Sequence, residues 1–382
     1  MDPHKMTLPV GLTFDDVLLL PGLAEFSRSD IVLSSSITRK IRLEIPFVSS
    51  PMDTVTESNL AIALAKFGGI GIIHRNLSSD DQASEVKKVK DADLLVGAAV
   101  GASRDVEARV DALISANVDL IVVDSAHGYS KNVIETVKMI RKKYEHAQIV
   151  AGSVATYEAA EALIEVGADG LRVGMGPGAI CTTRVISGMG VPQITAILET
   201  VRAAQKHGIP VIADGGIKYS GDIVKALAAG ASAVMMGSFF ASALESPGKT
   251  VTLDRTQVPH RFQSILKKDQ KTFQFKEYRG MGSAGAMEQG AKVKSEDEFH
   301  GKDYYKERVL VAEGVEGLVP VKGTVKELVD QAIGGIKSGF FYVGAKTVEE
   351  LWEKAKFIQL TQASLAESHP HDILITNPGE NY

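Results

Sequence analysis

The chain has 382 residues, of which 45% are hydrophobic and 23% charged, and it contains a single cysteine. This length suits one large domain with appendages, and one cysteine excludes an intramolecular disulfide. No apolar run reaches the ~18 residues that cross a membrane, and the first ten residues show no signal sequence, so we expect a cytoplasmic protein. The net charge is −5, with basic and acidic residues interspersed, which argues against nucleic-acid binding.

Eight short apolar runs alternate with amphipathic segments, a pattern that predicts strands and helices around a parallel sheet. The predicted strands are residues 45–50, 69–74, 95–100, 120–124, 148–151, 170–173, 210–213 and 233–236. The clearest predicted helices between them are residues 155–166, 194–206 and 221–229. Eight βα units predict a closed TIM (β/α)8 barrel. An open dinucleotide-binding sheet is disfavoured, because the only similar glycine run, 174–178, leads into a loop with a cysteine.

The chain after the eighth predicted strand has a different composition. Residues 247–320 are rich in Gly, Lys, Asp and Glu with little periodicity, so we expect a long functional flap. Two closing helices are predicted at 324–338 and 347–363, and a polar tail at 364–382. Residues 78–93, between the second and third strands, have room for one helix but not for an inserted domain. We therefore expect residues 1–382 to form one barrel domain.

Residues that follow barrel strands meet at the carboxyl end of the barrel, where active sites of this architecture lie. Small residues follow strands seven and eight, namely Gly215, Gly216, Gly237 and Ser238. They suit a phosphate, because small residues let backbone N–H groups face an anion, although tight turns alone are the alternative. Asp214 beside them could accept hydrogen bonds from ribose hydroxyls. A phosphate next to a diol acceptor predicts a nucleotide.

Cys181 is the only thiol. Free cysteines are most often small buried hydrophobes, but this one follows a glycine-rich run at the predicted barrel mouth. There a substrate could reach it and loop N–H groups could stabilise its thiolate, so we predict that Cys181 is a nucleophile. The adjacent Thr182 and Thr183 could orient a water or shuttle a proton, or could satisfy the loop backbone.

Several segments together resemble the IMP dehydrogenase/GMP reductase family, and the dehydrogenases most closely. They are SSPMDTVTE (49–57), DSAHG (124–128), GMGPGAICTTR (174–184), ADGGI (213–217), MMGS (235–238) and YRGMGS (278–283). The likeness extends from GLTFDDVLL (11–19) to ESHPHD (367–372). It implies a TIM barrel, a homotetramer, and oxidation of IMP to XMP by NAD in guanine nucleotide synthesis.

The resemblance also implies roles for individual residues. Cys181 would add to C2 of IMP while hydride leaves for NAD, and water would hydrolyse the resulting thioimidate. The implied IMP contacts are Ser50, Met52, Arg172, Asp214, Gly216, Gly237, Ser238, Tyr278, Gly280, Met281, Gly282 and Glu313. Asp124, Ser125 and Ser153 would contact NAD. Carbonyls of Gly174, Gly176 and Cys181, with Glu367 from a neighbouring subunit, would hold a potassium ion.

Three positions depart from the family pattern. Ala179 stands where a serine usually binds the phosphate, and Ser153 stands where an asparagine usually contacts the base or cofactor. The family's flap carries an Arg-Tyr pair whose arginine is the base for hydrolysis, but residues 302–305 read KDYY. Tyr304 is therefore expected in catalysis without its arginine. Glu313, acting through Thr183, is the predicted replacement base.

The family's regulatory pair of CBS modules is also missing from its usual place between the second and third strands. Residues 90–93 cross that place directly. Regulation by adenine nucleotides through such a pair is therefore not expected.

Two alternatives remain open from the sequence. GMP reductase, which deaminates GMP with NADPH, usually has a glutamate directly after the position of Ser283, where this chain has Ala284. The long flap also favours the dehydrogenase, although the missing flap arginine would fit the reductase. The three departures together would also fit a nucleotide-binding paralogue with little activity.

Overall fold

The structure is a computed structural model that describes residues 8–103, 106–259, 271–297, 311–373 and 375. Three short strands precede the barrel: β1 (Val17–Leu19), β2 (Ser35–Ser36) and β3 (Arg42–Leu43). Strands β2 and β3 pair as an antiparallel hairpin.

Eight parallel strands form a closed barrel, which confirms the predicted TIM architecture. They are β4 (Phe47–Ser49), β5 (Ile70–Ile73), β6 (Val96–Val100), β7 (Leu120–Asp124), β8 (Gln148–Val154), β9 (Gly170–Val173), β10 (Val211–Asp214) and β11 (Ala233–Met236). Each strand pairs with the next along the chain, and β11 pairs with β4 to close the ring. Every predicted strand overlaps an observed one, and β8 extends three residues beyond its predicted end at 151.

The barrel interior is filled by branched and sulfur-containing side chains from the strands, including Val48, Ile72, Val122 and Met235. The β2–β3 hairpin closes the amino end of the barrel, because Ile37, Ile41 and Leu43 join the same buried cluster. Gly170, at the start of β9, leaves room for this hairpin: a Cβ there would lie 2.3 Å from the carbonyl oxygen of Ile37.

Helices cover the outside of the barrel. Those between β4 and the end of the barrel are α1 (Ser58–Ala65), α2 (Ser79–Lys90), α3 (Val106–Ser115), α4 (Lys131–Lys143), α5 (Tyr157–Glu165), α6 (Thr183–Ile186), α7 (Gln193–Ala204), α8 (Ser220–Ala228) and α9 (Ser238–Ala241). Residues 91–95 join α2 directly to β6, so no module is inserted between these two elements. Among the described residues, no helix is both long and apolar enough to span a membrane.

The segment after β11 has more regular structure than its composition predicts. Strands β12 (Thr250–Asp254), β13 (Thr272–Arg279) and β14 (Glu316–Pro320) form an antiparallel sheet, and α10 (Ala284–Asp297) follows β13. The alternation in β13 that buries Phe273 and Phe275 was a period-two signal that the sequence analysis overlooked. Lys302 and Tyr304 lie outside the described residues.

The end of the chain corrects one prediction. Helix α11 (Val325–Val343) packs against α8 and α1 and ends at Gly344, which adopts a left-handed backbone. The single helix predicted at 347–363 is wrong: α12 (Val348–Lys354) is followed by β15 (Phe357–Gln359) and α13 (Gln362–Glu367). β15 pairs antiparallel with β1 at the other end of the chain. This long-range pairing overrides the local helical pattern.

Candidate active site

Arg172 lies between two carboxylates at the mouth of the barrel. Its Nη1 donates to Asp214 Oδ2 at 3.1 Å, and its Nη2 donates to Asp124 Oδ1 at 2.5 Å. Arg75 approaches the same carboxylate of Asp124, with 3.4 Å from Nε to Oδ2. The side chain of Arg172 is 8% exposed, so the cluster is largely shielded from solvent. The carboxylates predicted to serve IMP and NAD separately are therefore joined by one guanidinium.

This environment separates the two carboxylates electrostatically. Burial raises the pKa of Asp214 to about 6 despite the attraction of Arg172, and the neighbouring Asp124 adds to the rise. Burial also acts on Asp124, but Arg172 and Arg75 outweigh it and lower the pKa of Asp124. Burial, helped by Asp214, raises the pKa of the Tyr278 hydroxyl, which therefore stays protonated as a donor.

We expect the shift at Asp214 to make folding stability pH-dependent. A carboxyl group with a higher pKa in the folded state than in the unfolded state stabilises the fold most at low pH. For Asp214 this stabilisation is complete below pH 3.8, its ordinary pKa, and is lost as pH rises through about 6. The stability difference between wild type and Asp214→Asn should therefore fall by about 3 kcal/mol between pH ~4 and pH ~7. Urea unfolding at several pH values measures it.

Asp124→Asn is the control for this prediction, because the pKa of Asp124 is shifted in the opposite direction. The stabilisation by Asp124 is present at pH values above its ordinary pKa and is lost as pH falls. Wild type and Asp214→Asn responding identically to pH would contradict the assignment of the raised pKa to Asp214.

Cys181 begins a chain of hydrogen bonds in the loop after β9. Its Sγ lies 3.3 Å from Thr183 Oγ1, and Thr183 Oγ1 donates to Glu313 Oε2 at 2.8 Å. The backbone fixes this arrangement: the N–H of Thr182 donates to the Glu313 carbonyl at 3.0 Å, and Cys181 forms a β-bridge with Gly314. Three residues predicted for catalysis thus meet across 130 sequence positions.

The segment containing Gly280, Met281 and Gly282 supports this chain from the other side. The N–H of Glu313 donates to the Gly282 carbonyl at 3.0 Å, and the N–H of Gly280 donates to the Val315 carbonyl at 3.1 Å. The backbone around Glu313 is also hydrogen-bonded to the loop that contains Cys181. Residues 280–282, the residues around Glu313 and the Cys181 loop therefore lie side by side.

Side chains from the loop after β4 and from strand β13 lie close to Gly237. A Cβ at this position would lie 2.6 Å from Tyr278 Oη, 3.1 Å from Met52 Sδ and 3.6 Å from Ser50 Oγ. A larger residue at this position would force Tyr278 or Met52 to shift. Ser238 follows at the start of α9. Gly216, in the neighbouring loop after β10, adopts a left-handed backbone with φ +81°.

The residues expected to contact NAD lie in the loops after β7 and β8. The N–H of Ser153 donates to the Ser125 carbonyl at 2.8 Å, and the N–H of Ser125 donates to the Gly152 carbonyl at 3.1 Å. These bonds join the two loops beside Asp124, although Ser153 itself is buried. Asp124, whose two carboxylate oxygens accept hydrogen bonds from Arg172 and Arg75, is the acidic side chain beside these loops.

The loop predicted to hold potassium contains two glycines with positive φ. Gly174 and Gly176 have φ values of +149° and +79°, a backbone conformation that side-chain-bearing residues rarely adopt. No cluster of three or more His, Cys, Asp or Glu side chains suited to a metal occurs among the described residues. Glu367 is exposed at the end of α13. Its predicted role as a potassium ligand concerns the site of a neighbouring subunit.

Sequence reasoning missed four polar residues around this mouth: Arg75, Asp53, Asn76 and Arg279. Asp53 and Arg279 form an ion pair, and Asn76 donates to the same carboxylate. A signal was present, because Asp53 and Arg279 each lie inside a segment that carries the family resemblance. Their pairing was not foreseeable, since the two residues are 226 positions apart.

Known proteins match this chain over nearly its whole length. The family model described as "IMP dehydrogenase / GMP reductase domain" matches residues 11–371. Inosine-5'-monophosphate dehydrogenase of Borreliella burgdorferi is 42% identical over 97% of this chain and 99% of its own length. The enzymes of that name from Cryptosporidium parvum and Halalkalibacterium halodurans are 41% and 38% identical, each over 97% of this chain and 98% of their own length.

The lengths of these alignments bear on the missing CBS pair. The alignment with the Halalkalibacterium halodurans protein extends over 498 residues, against 421 for the Borreliella burgdorferi protein. The longer relative has sequence without a counterpart in this chain, in agreement with the direct connection from α2 to β6. From its sequence matches, its barrel and its site, the chain belongs to the IMP dehydrogenase / GMP reductase family, in a form without the CBS pair.

Proposed function

We propose that the chain is an IMP dehydrogenase that oxidises IMP to XMP with NAD, in guanine nucleotide synthesis. The observation that carries this proposal is the hydrogen-bonded chain Cys181–Thr183–Glu313 at the mouth of a barrel that also holds Asp214 and the side chains around Gly237. These neighbouring residues would supply the nucleophile, the proton relay and the contacts to the nucleotide. The three relatives described above all bear the name inosine-5'-monophosphate dehydrogenase.

In the first step, Cys181 Sγ forms a bond to C2 of IMP and hydride leaves C2. NAD, when bound, accepts that hydride. Asp214 accepts hydrogen bonds from the ribose hydroxyls, and Gly237 and Ser238 bind the phosphate. The thiol proton has a path through Thr183, because the Cys181–Thr183 contact already exists at 3.3 Å. The product of this step is a thioimidate on Cys181.

In the second step, water attacks C2 and the S–C2 bond breaks, which releases XMP. Thr183 takes the proton of the attacking water and passes its own to Glu313, following the 2.8 Å hydrogen bond between them. Glu313 is the proposed base because its carboxylate accepts the hydrogen bond of Thr183, which in turn contacts Cys181. Tyr304 would assist from the flap.

Several further features belong to the proposal. NAD would lie beside Asp124, Ser125 and Ser153, and a potassium ion would bind the carbonyls of Gly174, Gly176 and Cys181. Glu367 of a neighbouring subunit would complete that cation site, and the assembly would be a homotetramer. The protein would work in the cytoplasm.

Two parallel assays test the proposed reaction. The wild-type chain with IMP and NAD should form NADH and XMP, whereas GMP and NADPH should give no ammonia. Ala284 lacks the carboxylate that would protonate departing ammonia, which is the physical reason for the second result. Ammonia release with NADPH consumption would replace the dehydrogenase by the reductase, and no turnover in either assay would favour a binding protein.

The close packing of side chains around Gly237 predicts that substitutions there weaken IMP binding more than they slow turnover. Gly237→Ala would place a methyl group 2.6 Å from Tyr278 Oη, and Ser238→Ala would remove a phosphate donor. Each should raise KM for IMP about tenfold or more while changing kcat less, because phosphate is bound equally in the ground and transition states. Steady-state kinetics with IMP as the varied substrate measures both constants.

The matched control is Gly221→Ala, because a Cβ at Gly221 would meet nothing within 4 Å. Inosine, which lacks the phosphate, should bind much more weakly than IMP. Equal affinity for inosine and IMP would show that these glycines only form turns.

A further inference from the structure

Asp53 and Arg279 form an ion pair that the proposed chemistry does not use. Arg279 Nη2 donates to Asp53 Oδ2 at 2.7 Å, and Arg279 Nε lies 3.1 and 3.2 Å from the two carboxylate oxygens. The side chain of Asp53 is 6% exposed. A guanidinium with several bonds to one carboxylate fixes geometry as well as charge, and removing Arg279 would leave the buried carboxylate of Asp53 without its counterion.

Asn76 and Thr54 extend this contact to neighbouring loops. Asn76 Nδ2 donates to Asp53 Oδ2 at 2.9 Å and to the carbonyl of Ala286 at 3.0 Å. The backbone N–H of Arg279 donates to Thr54 Oγ1 at 3.2 Å. Asp53 therefore connects the loop after β4, the loop after β5 and the turn from β13 into α10.

The ion pair lies directly beside the predicted IMP contacts. Asp53 follows Met52 in the chain, and Arg279 stands between Tyr278 and Gly280. Adjacent residues of a strand point to opposite sides, so the end of β13 sends Tyr278 towards Gly237 and Arg279 towards Asp53. The end of β13 thus carries both Tyr278, a predicted IMP contact, and Arg279, which anchors this part of the strand to Asp53.

We propose that Asp53 and Arg279 are positioning residues for the nucleotide: their ion pair holds the end of β13 and residues 280–282 in place over the barrel mouth. The inference rests on the proposed function, because IMP is the nucleotide that these segments would hold. Residues 280–282 also hydrogen-bond the backbone around Glu313, so a shift of this segment displaces the base as well. Loss of the ion pair should therefore weaken IMP binding and slow turnover together.

The test compares Asp53→Asn and Arg279→Lys with wild type. Asp53→Asn should raise the Kd for IMP, measured by calorimetry without NAD, about tenfold or more, and should lower kcat up to about a hundredfold. Arg279→Lys keeps the charge but loses the planar fork, so it should show a smaller increase in Kd. The Kd of the double variant should be close to that of Asp53→Asn alone rather than reflect the sum of both effects, because the two changes break the same contact.

Asp169→Asn is the matched control, because Asp169 is also buried and paired with an arginine, Arg141, but at the amino end of the barrel. It should lower the free energy of unfolding and leave the Kd for IMP unchanged. Folded Asp53→Asn and Arg279→Lys proteins with the wild-type Kd and kcat would overturn the positioning role alone. A wild-type chain that neither binds nor oxidises IMP would instead overturn the proposed function.

Discussion

Cys181→Ala is expected to abolish turnover of IMP while the protein stays folded and still binds the nucleotide. The thiol is the atom proposed to bond to C2, and no other cysteine exists in the chain to replace it. The rate should fall at least about a thousandfold, because removing a nucleophile eliminates the covalent route rather than weakening one contact. NADH formation measures turnover, and calorimetric titration with IMP measures binding.

Thr182→Ala is a suitable control for Cys181→Ala, because Thr182 is the adjacent residue of the same loop but contacts Glu313 through its backbone N–H. It should retain most of the activity. A Cys181→Ala protein with a near-wild-type rate would remove covalent catalysis from the mechanism.

Glu313→Gln is expected to separate the two chemical steps. Hydride transfer comes first and does not require the base for hydrolysis, so wild type should show a burst of NADH followed by slower steady turnover. Glutamine keeps a side chain of the same size beside Thr183 but cannot accept its proton, so the slow phase should fall roughly a hundredfold while the burst amplitude persists. Stopped-flow measurement of NADH resolves the two phases.

Glu277→Gln, a change at an exposed carboxylate on β13, should leave both phases unaltered. The relay would be wrong if Glu313→Gln left the slow phase unchanged while Lys302 or Tyr304 proved essential to it. The base for hydrolysis would then lie on the flap.

The barrel was predictable because its signals are local. Each barrel strand is a short apolar run, and the helices between them repeat apolar residues at three- and four-residue spacing. Residues at strand ends, such as Asp214 and Gly237, were then assigned to the mouth by the architecture alone. β15 was not predictable in this way, because its strand conformation depends on pairing with β1, more than 300 positions earlier.

The same distinction between local and long-range contacts applies to the candidate active site. Cys181 and Thr183 are neighbours in sequence, and their proximity followed directly from the motif. The contacts among Asp124, Arg172 and Asp214 were not foreseen, although a charged residue inside the apolar strand β9 signals a need for buried counterions. The Asp53–Arg279 pair depends on how the β12–β14 sheet sits on the barrel, which no local pattern encodes.

The central claim is that this chain oxidises IMP through a covalent bond to Cys181. The most direct test is intact and peptide mass spectrometry of the wild-type enzyme, quenched during turnover with IMP and NAD. Because hydrolysis is expected to be the slow step, a purine nucleotide adduct should accumulate and map to the peptide that contains Cys181. NADH formation without any adduct on Cys181, or with an adduct on another residue, would contradict the claim.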